Sequence, residues 1–279
     1  MEKDLVSIII PTRDRSELLR RCLDCLKKQT YPNIEIIVVD GNSKLDDVQI
    51  AKEYTDKVFV FDKIGDHRCA QRNLGVKNAS GKYVLVIDSD MELTPKVIEG
   101  CVERMEKDEE VRAVIIPERS IGEGFWAKCK SLEKSFYVGI DWMEAARFFY
   151  RDDFLRVGGY NEKMTSGEDW DLSQRIGELG KIVRTDEFLD HNEGRIDLWK
   201  TVKKKYYYAG EFAKYAKNSK HRENVGHQTG IVSRYKLFLS NPKKLFRHPL
   251  VGLGMLFMKT CEFGFGGVGY LINISKYEK

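Results

Sequence analysis

The sequence predicts an α/β protein with a mostly parallel central sheet and a helical C-terminal extension. Three observations predict it. Short β-branched apolar runs alternate with segments of helical periodicity, the pattern of βαβ units. Several of those runs stop at acidic and glycine residues, which mark strand ends. No strand pattern follows Ile182-Val183, and beyond about residue 220 a basic then apolar stretch takes over.

The elements follow in order. Val6–Ile10 is a nearly continuous apolar run, as a strand buried on both faces requires, and Pro11-Thr12 ends it. Ser16–Lys28 places Leu18, Leu19, Cys22, Leu23, Cys25 and Leu26 at helical spacing. Ile34–Val39 is a second buried strand, closed by Asp40-Gly41-Asn42-Ser43. A weaker helix over 45–54 leads to Val58–Phe61, and a helix over 67–79 leads to the strand Tyr83–Ile87. Pro95 suits the first turn of a helix over 95–107, and Val111–Ile116 is another strand. From 118 to 143 the periodicity blurs among glycines, charges and aromatics, which reads as a mobile, substrate-shaping loop with a short helix. Ala145–Tyr150 is a strand, Gly158-Gly159 a helix stop, Glu168–Glu178 a helix ended by Gly180, and Ile182-Val183 an edge strand.

Composition narrows the class. The chain has 279 residues, 42% hydrophobic and 32% charged, enough for a large core. The apolar run at the N-terminus is short and meets Pro11 at once, so it reads as a first strand rather than a signal peptide. Six cysteines are scattered. The Cys22-x-x-Cys25 pair has no second pair to complete a zinc site, and the thiols read as reduced residues of a cytoplasmic protein. Residues 1–194 carry 30 Lys and Arg against 38 Asp and Glu, whereas residues 195–279 carry 17 against 5, which points the C-terminal part toward an anionic partner.

Two clusters carry chemistry. Asp88-Ser89-Asp90 ends the strand Tyr83–Ile87, beyond the carboxyl end of a parallel sheet, where such sheets bind ligands. Carboxylate oxygens in this pattern suit Mg²⁺ or Mn²⁺ with substrate phosphates completing the shell, and helix-capping turn aspartates are the plainer alternative. Gly167-Glu168-Asp169-Trp170-Asp171 opens a helix, where the dipole favours acids.

The ordered set Val6–Thr12, Val38-Val39-Asp40-Gly41, Ala70-Gln71-Arg72-Asn73-Leu74-Gly75, Gly81-Lys82-Tyr83, Asp88-Ser89-Asp90, Gly158-Gly159-Tyr160 and Gly167–Asp171 resembles the family-two glycosyltransferases of GT-A fold, over roughly residues 5–195. The resemblance implies a Rossmann-like catalytic domain over 1–219, with a nucleotide-binding half to about 117 and an acceptor half over 118–219. Residues 220–279 form the extension. It implies inverting transfer of one sugar, of hexosyltransferase type, from a nucleotide-diphospho-sugar to an acceptor hydroxyl. Pro11, Thr12, Arg13, Asp40, Arg72, Asp88 and Ser89 would meet the donor. Asp90 would hold Mg²⁺ or Mn²⁺, with His191 completing the shell. Asp169 would be the general base and Glu168 would orient it or the acceptor. Arg195, Lys203 and Trp170 are candidate diphosphate or acceptor contacts, beside the alternatives of a solvated helix face and core packing; Lys203-Lys204-Lys205 runs into Tyr206-Tyr207-Tyr208. Arg72 has the alternative of a helix-surface pair with Asp62 or Asp66. Asp40 lacks a following acid, which leaves the base open between uracil and guanine, and no Q-x-x-R-W box signals polymerisation.

In the extension, Arg234, Lys236, Lys243, Lys244, Arg247 and His248 precede two apolar stretches, Leu250–Met258 and Phe263–Ile274, split by Lys259 and Glu262. Neither reaches the ~20 residues of a membrane span. The pattern suggests an in-plane or shallow re-entrant helix pair on an anionic membrane surface, at its cytoplasmic face, with a glycan or polyprenyl-phosphate-linked acceptor. An apolar helix packed on the protein is the alternative. A nucleotidyltransferase is disfavoured because Pro11–Arg15 has no glycine, and a nucleic-acid binder because no reading helix or stacking surface is evident.

Overall fold

The computed structural model describes residues 3–62, 67–206 and 230–277, with side chains to 269 in the last helix. The chain divides into two compact units: Met1–Pro117, Ala145–Lys163 and Glu168–Asn192 form the first, and Glu118–Glu144, Met164–Gly167 and Glu193–Lys279 the second.

The first unit is built on β1 (Val6–Thr12), β2 (Ile34–Asp40), β3 (Val58–Val60), β4 (Tyr83–Val86), β6 (Val111–Ile115), β8 (Ala146–Tyr150) and β9 (Lys181–Arg184). They pair in the order β3-β2-β1-β4-β8-β6-β9. All neighbours are parallel except β8, which runs against both β4 and β6. Side chains alternate along each strand, and both faces are covered. Ile8 and Ile10 pack with Leu19, Leu23 and Leu26 of α1 (Ser16–Leu26) and with Ile98 and Met105 of α4 (Val97–Lys107). Ile9 and Val39 face the other way, toward Val76 of α3 (Arg68–Lys77), Phe154 of α6 (Arg151–Arg156) and Leu172 of α7 (Glu168–Gly177). Burial on both sides is why these strands read as nearly continuous apolar runs. Each such side chain contributes ~1.5–3 kcal/mol. Gly75 lets α3 lie close: a Cβ there would stand 2.3 Å from Ile9 Cγ2.

Thr12 pairs with Asp40 at the ends of β1 and β2, and Ile9 pairs with Val86 at the end of β4. The three strands therefore stop along one edge. Asp88 lies two residues beyond β4, whereas the sequence reading ran the strand to Ile87. A short strand that the sequence reading lacked, β5 (Met91–Leu93), pairs antiparallel with the start of β10 (Leu189–Arg195). A six-residue helix, α2 (Asp47–Lys52), stands between β2 and β3.

The second unit contains β7 (Glu118–Glu123), α5 (Gly124–Ser135), a helix α8 over 198–206, α9 (Ile231–Leu239), α10 (Pro242–Leu245) and α11 (Pro249–Tyr277). Cys129, Phe136, Tyr137, Val202, Phe238, Leu245, Met255 and Met258 form its core. Two expectations are corrected here. Residues 118–143 hold a strand and a 12-residue helix, not a mobile loop with a short helix. The C-terminal apolar stretches form one 29-residue helix, not a re-entrant pair. The cause is common to both. Glu133 of α5 and Lys259 and Glu262 of α11 are buried, so charges stand where a helical pattern should show apolar residues. Among the described residues no helix is long and apolar enough to cross a membrane.

Candidate active site

The loop after β1 is held by a residue that the sequence reading missed. Asp47, fully buried at the start of α2, accepts from Thr12 Oγ1 at 2.7 Å, Ser16 Oγ at 2.6 Å and the Arg15 backbone N–H at 3.0 Å. It therefore does the capping of α1 that no side chain of α1 provides. Pro11 is buried beside Thr12, and the Arg13 stem lies against Gly41. Asp40 is also buried, and its carboxylate accepts from both the backbone N–H and the hydroxyl of Ser43, closing a turn in which Asn42 takes φ +60°. Gln71 Nε2 donates to the carbonyls of Thr12, at 3.2 Å, and Val39, at 3.0 Å, tying the two strand ends together. Asp47 could have been suspected from Thr12 and Ser16 in need of a shared acceptor, but nothing local marks it.

Arg72 is the centre of the unit's charged cluster. It is 1% exposed, and its guanidinium reaches Asp88 Oδ1 at 2.6 Å, Asp169 Oδ1 at 3.2 Å and Glu168 Oε1 at 3.5 Å. It also lies over the Tyr160 ring, 4.9 Å from the centroid. The expected alternative, a surface pair, does not describe it; Asp66 lies outside the described residues. One cation on α3 thus brings together the strand-end acid and the two acids that open α7. Burial would raise the Asp88 carboxyl, but Arg72, Arg147 and Arg68 outweigh it and hold that group well below the usual range. Burial, and then the charge of Asp169, raises Glu168 despite Arg72.

Ser89 is buried, and Asp90 follows it. Asp90 Oδ2 takes a 2.6 Å bond from Arg15 NH1. Its Oδ1 is buried without a hydrogen-bond donor and stands 3.5 Å from Nε2 of His191, which β10 delivers opposite Met91. An orphaned carboxylate oxygen beside an imidazole nitrogen is a donor pair that fits Mg²⁺ or Mn²⁺. Among the described residues no group of three or more His, Cys, Asp or Glu gathers as a metal cage.

Trp170 is half-buried on α7. Arg195 and Lys203 are exposed residues of the second unit. Tyr207, Tyr208 and the boundary expected at 219 fall outside the described residues.

A seven-stranded, mostly parallel sheet with acids clustered at its carboxyl edge defines a GT-A enzyme scaffold. Solved structures share it. A mannosyltransferase of Pyrobaculum calidifontis, in complex with GDP-Man and Mn²⁺, superposes with a TM-score of 0.63 at 15% identity, covering 95% of this chain and 86% of that one. Staphylococcus aureus TarS 1–349 in complex with UDP-GlcNAc gives 0.53 at 15% identity, covering 95% and 90%. Among curated proteins, glycosyltransferase GlyA of Streptococcus pneumoniae is 37% identical over 90 residues, 31% of this chain and 13% of that protein. An uncharacterised glycosyltransferase of Rickettsia prowazekii is 38% identical over 103 residues, and the match spans 32% of its length. The glycosyl transferase family 2 model matches residues 7–160. The chain belongs to that family.

Proposed function

We propose that the protein transfers a single sugar, with inversion, from a nucleotide-diphospho-sugar to an acceptor hydroxyl. The observation that carries this reading is the Arg72 clasp, which joins the strand-end Asp88 to Asp169 while Asp90 and His191 stand on the same unit. The matched relatives GlyA and the Rickettsia protein are longer than the stretch they share with this chain, so the reading rests on this site.

In this reading Asp169 is the general base. Arg72 holds Asp169 Oδ1, the Asp169 side chain is about a quarter exposed, and its other carboxylate oxygen receives the acceptor proton as the hydroxyl oxygen attacks the anomeric carbon. Glu168, next to it and on the same guanidinium, positions it. The bond to the nucleoside diphosphate breaks on the opposite face. Asp90 and His191 would hold a Mg²⁺ or Mn²⁺ ion, which when bound supplies positive charge for the leaving diphosphate. Thr12, Arg13, Asp40 and Asp88 shape the donor side, and their rigid turns keep it pre-formed. The acceptor is a glycan or a polyprenyl-phosphate-linked glycan, met at a membrane surface. This rests on the basic, apolar extension.

The test is a donor screen by thermal shift with Mn²⁺, including uridine and guanosine diphospho-sugars, because the solved neighbours carry one of each. Asp169→Asn is expected to bind the selected donor unchanged and to lose transfer; retained turnover would remove Asp169 as base. Asp90→Ala is expected to lose the Mn²⁺-dependent part of the shift.

A further inference from the structure

α11 is built inside out for a helix in water. Its charged residues face inward and its apolar residues face outward. Lys259 is 5% exposed and Glu262 3%, whereas Leu250, Leu253, Phe257, Phe265 and Val268 are 77, 57, 57, 46 and 52% exposed. The exposed set recurs at helical spacing on one face, a stripe ~27 Å long at 1.5 Å per residue. The buried charges pair within the unit, although Glu262 Oε1 has no hydrogen-bond donor among the described residues and stands 3.5 Å from Lys130 Nζ. Lys259 Nζ bonds Glu133 Oε1 at 2.5 Å and Glu262 Oε2 at 2.7 Å, and Lys130 Nζ bonds Glu133 Oε2 at 2.9 Å. The two charges that would bar this helix from lipid are therefore already neutralised on its far side.

The surroundings match. Trp199 stands exposed against Phe265, ring centroids 6.4 Å apart, and Trp126 lies against Phe257 at 6.3 Å. Such rings favour the bilayer interface. Phe246, also exposed, lies against Gly252. Just before the stripe, Lys243, Arg247 and His248 are exposed. No described helix is long and apolar enough to span. We infer that α11 lies in the plane of an anionic bilayer, its stripe from Leu250 to Val268 at the headgroup–acyl boundary and the Lys243–His248 cluster on the phosphates. Charge complementarity selects this occupant: residues 195–279 hold 17 Lys and Arg against 5 Asp and Glu. The inference deepens the membrane partner of the proposed function, and its test reads vesicle binding alone, so the two can fail separately.

The full chain is sedimented with vesicles of phosphatidylcholine containing phosphatidylglycerol, and with phosphatidylcholine alone. Binding should be about tenfold or more tighter to the anionic vesicles and weaken with salt. Tryptophan fluorescence should be quenched by lipids brominated on the acyl chain. Leu253→Glu/Phe257→Glu should abolish binding and quenching, and Lys243→Ser/Arg247→Ser should abolish the preference for anionic lipid. Both variants are checked by circular dichroism and by the donor-induced thermal shift. Absence of binding to anionic vesicles would overturn the inference, as would binding without acyl-chain quenching. A dimer in solution that Leu253→Glu/Phe257→Glu dissociates, with no vesicle binding, would assign the stripe to a second copy instead.

Discussion

At the scale of single residues, the first unit depends on the balance around Arg72. A guanidinium that is almost inaccessible to water is tolerable only because Asp88, Asp169 and Glu168 surround it. Arg72→Met leaves those acids without their cation, and removing one partner of a buried pair costs about 3–5 kcal/mol. The loss should depend on pH. Asp88 is held low in the wild type, so its contribution is complete above the ordinary carboxylate value and is lost only as pH falls below it. Without Arg72, burial instead favours the protonated acids. The stability gap between wild type and Arg72→Met, measured by urea unfolding, should therefore narrow from pH 7 toward pH 4. A gap independent of pH would mean that Arg72 acts by packing alone. Arg15 poses a different question, because it holds Asp90 Oδ2, the partner oxygen of the orphaned Oδ1. Its exposed bridge is worth only ~0.2–1 kcal/mol. Arg15→Ala should tighten Mn²⁺ binding in the absence of donor by a few-fold, followed by the free-Mn²⁺ electron paramagnetic resonance signal; unchanged or weaker binding would show that Arg15 does not compete with the ion.

At the scale of elements, the same chemistry that made the first unit legible made the second obscure. In β1, β2 and β4, most covered positions are apolar because helices cover both faces, with Ser7, Thr12 and Asp40 as buried polar exceptions, so length and composition sufficed to place the strands. Asp88, Asp90 and Asp169 were visible through their place in the ordered motif set, since acids at a helix start alone are common. Asp47 and Gln71 were not, since their roles come from contacts with Thr12 across 35 and 59 positions. The interruptions at Glu133, Lys259 and Glu262 belong to helices that turn their charges inward toward one another. With Lys130 they form a quartet that makes a prediction of its own. Lys259→Met leaves Glu133 and Glu262, both held well below their ordinary range by Lys130 and Lys259 against burial, with half of their compensation. It should cost about 3–5 kcal/mol in thermal unfolding, while the double change Lys259→Met/Glu262→Gln, which keeps the Lys130–Glu133 pair, should recover at least half of that. No recovery would mean that the charges are held for packing rather than for pairing.

At the scale of the whole chain, the two proposals place ligands of unlike chemistry on two units. The acidic edge of the first gathers Asp40, Asp88, Asp90 and Asp169, acids suited to a metal-bound diphosphate; the second presents exposed basic and apolar residues suited to a lipid surface. Each ligand should then protect its own backbone. Amide hydrogen exchange with Mn²⁺ and the selected donor should slow around residues 10–15, 40–43 and 86–91. Exchange with anionic vesicles should slow around 246–268 and leave the first set unchanged. A bound ligand stabilises the state that holds it by about 2.7 kcal/mol at a hundredfold excess over its dissociation constant, so protection of the locally opening amides should rise up to about a hundredfold. If donor slows exchange in the second set, or vesicles in the first, the two sites are energetically coupled and the division of labour between the units does not hold.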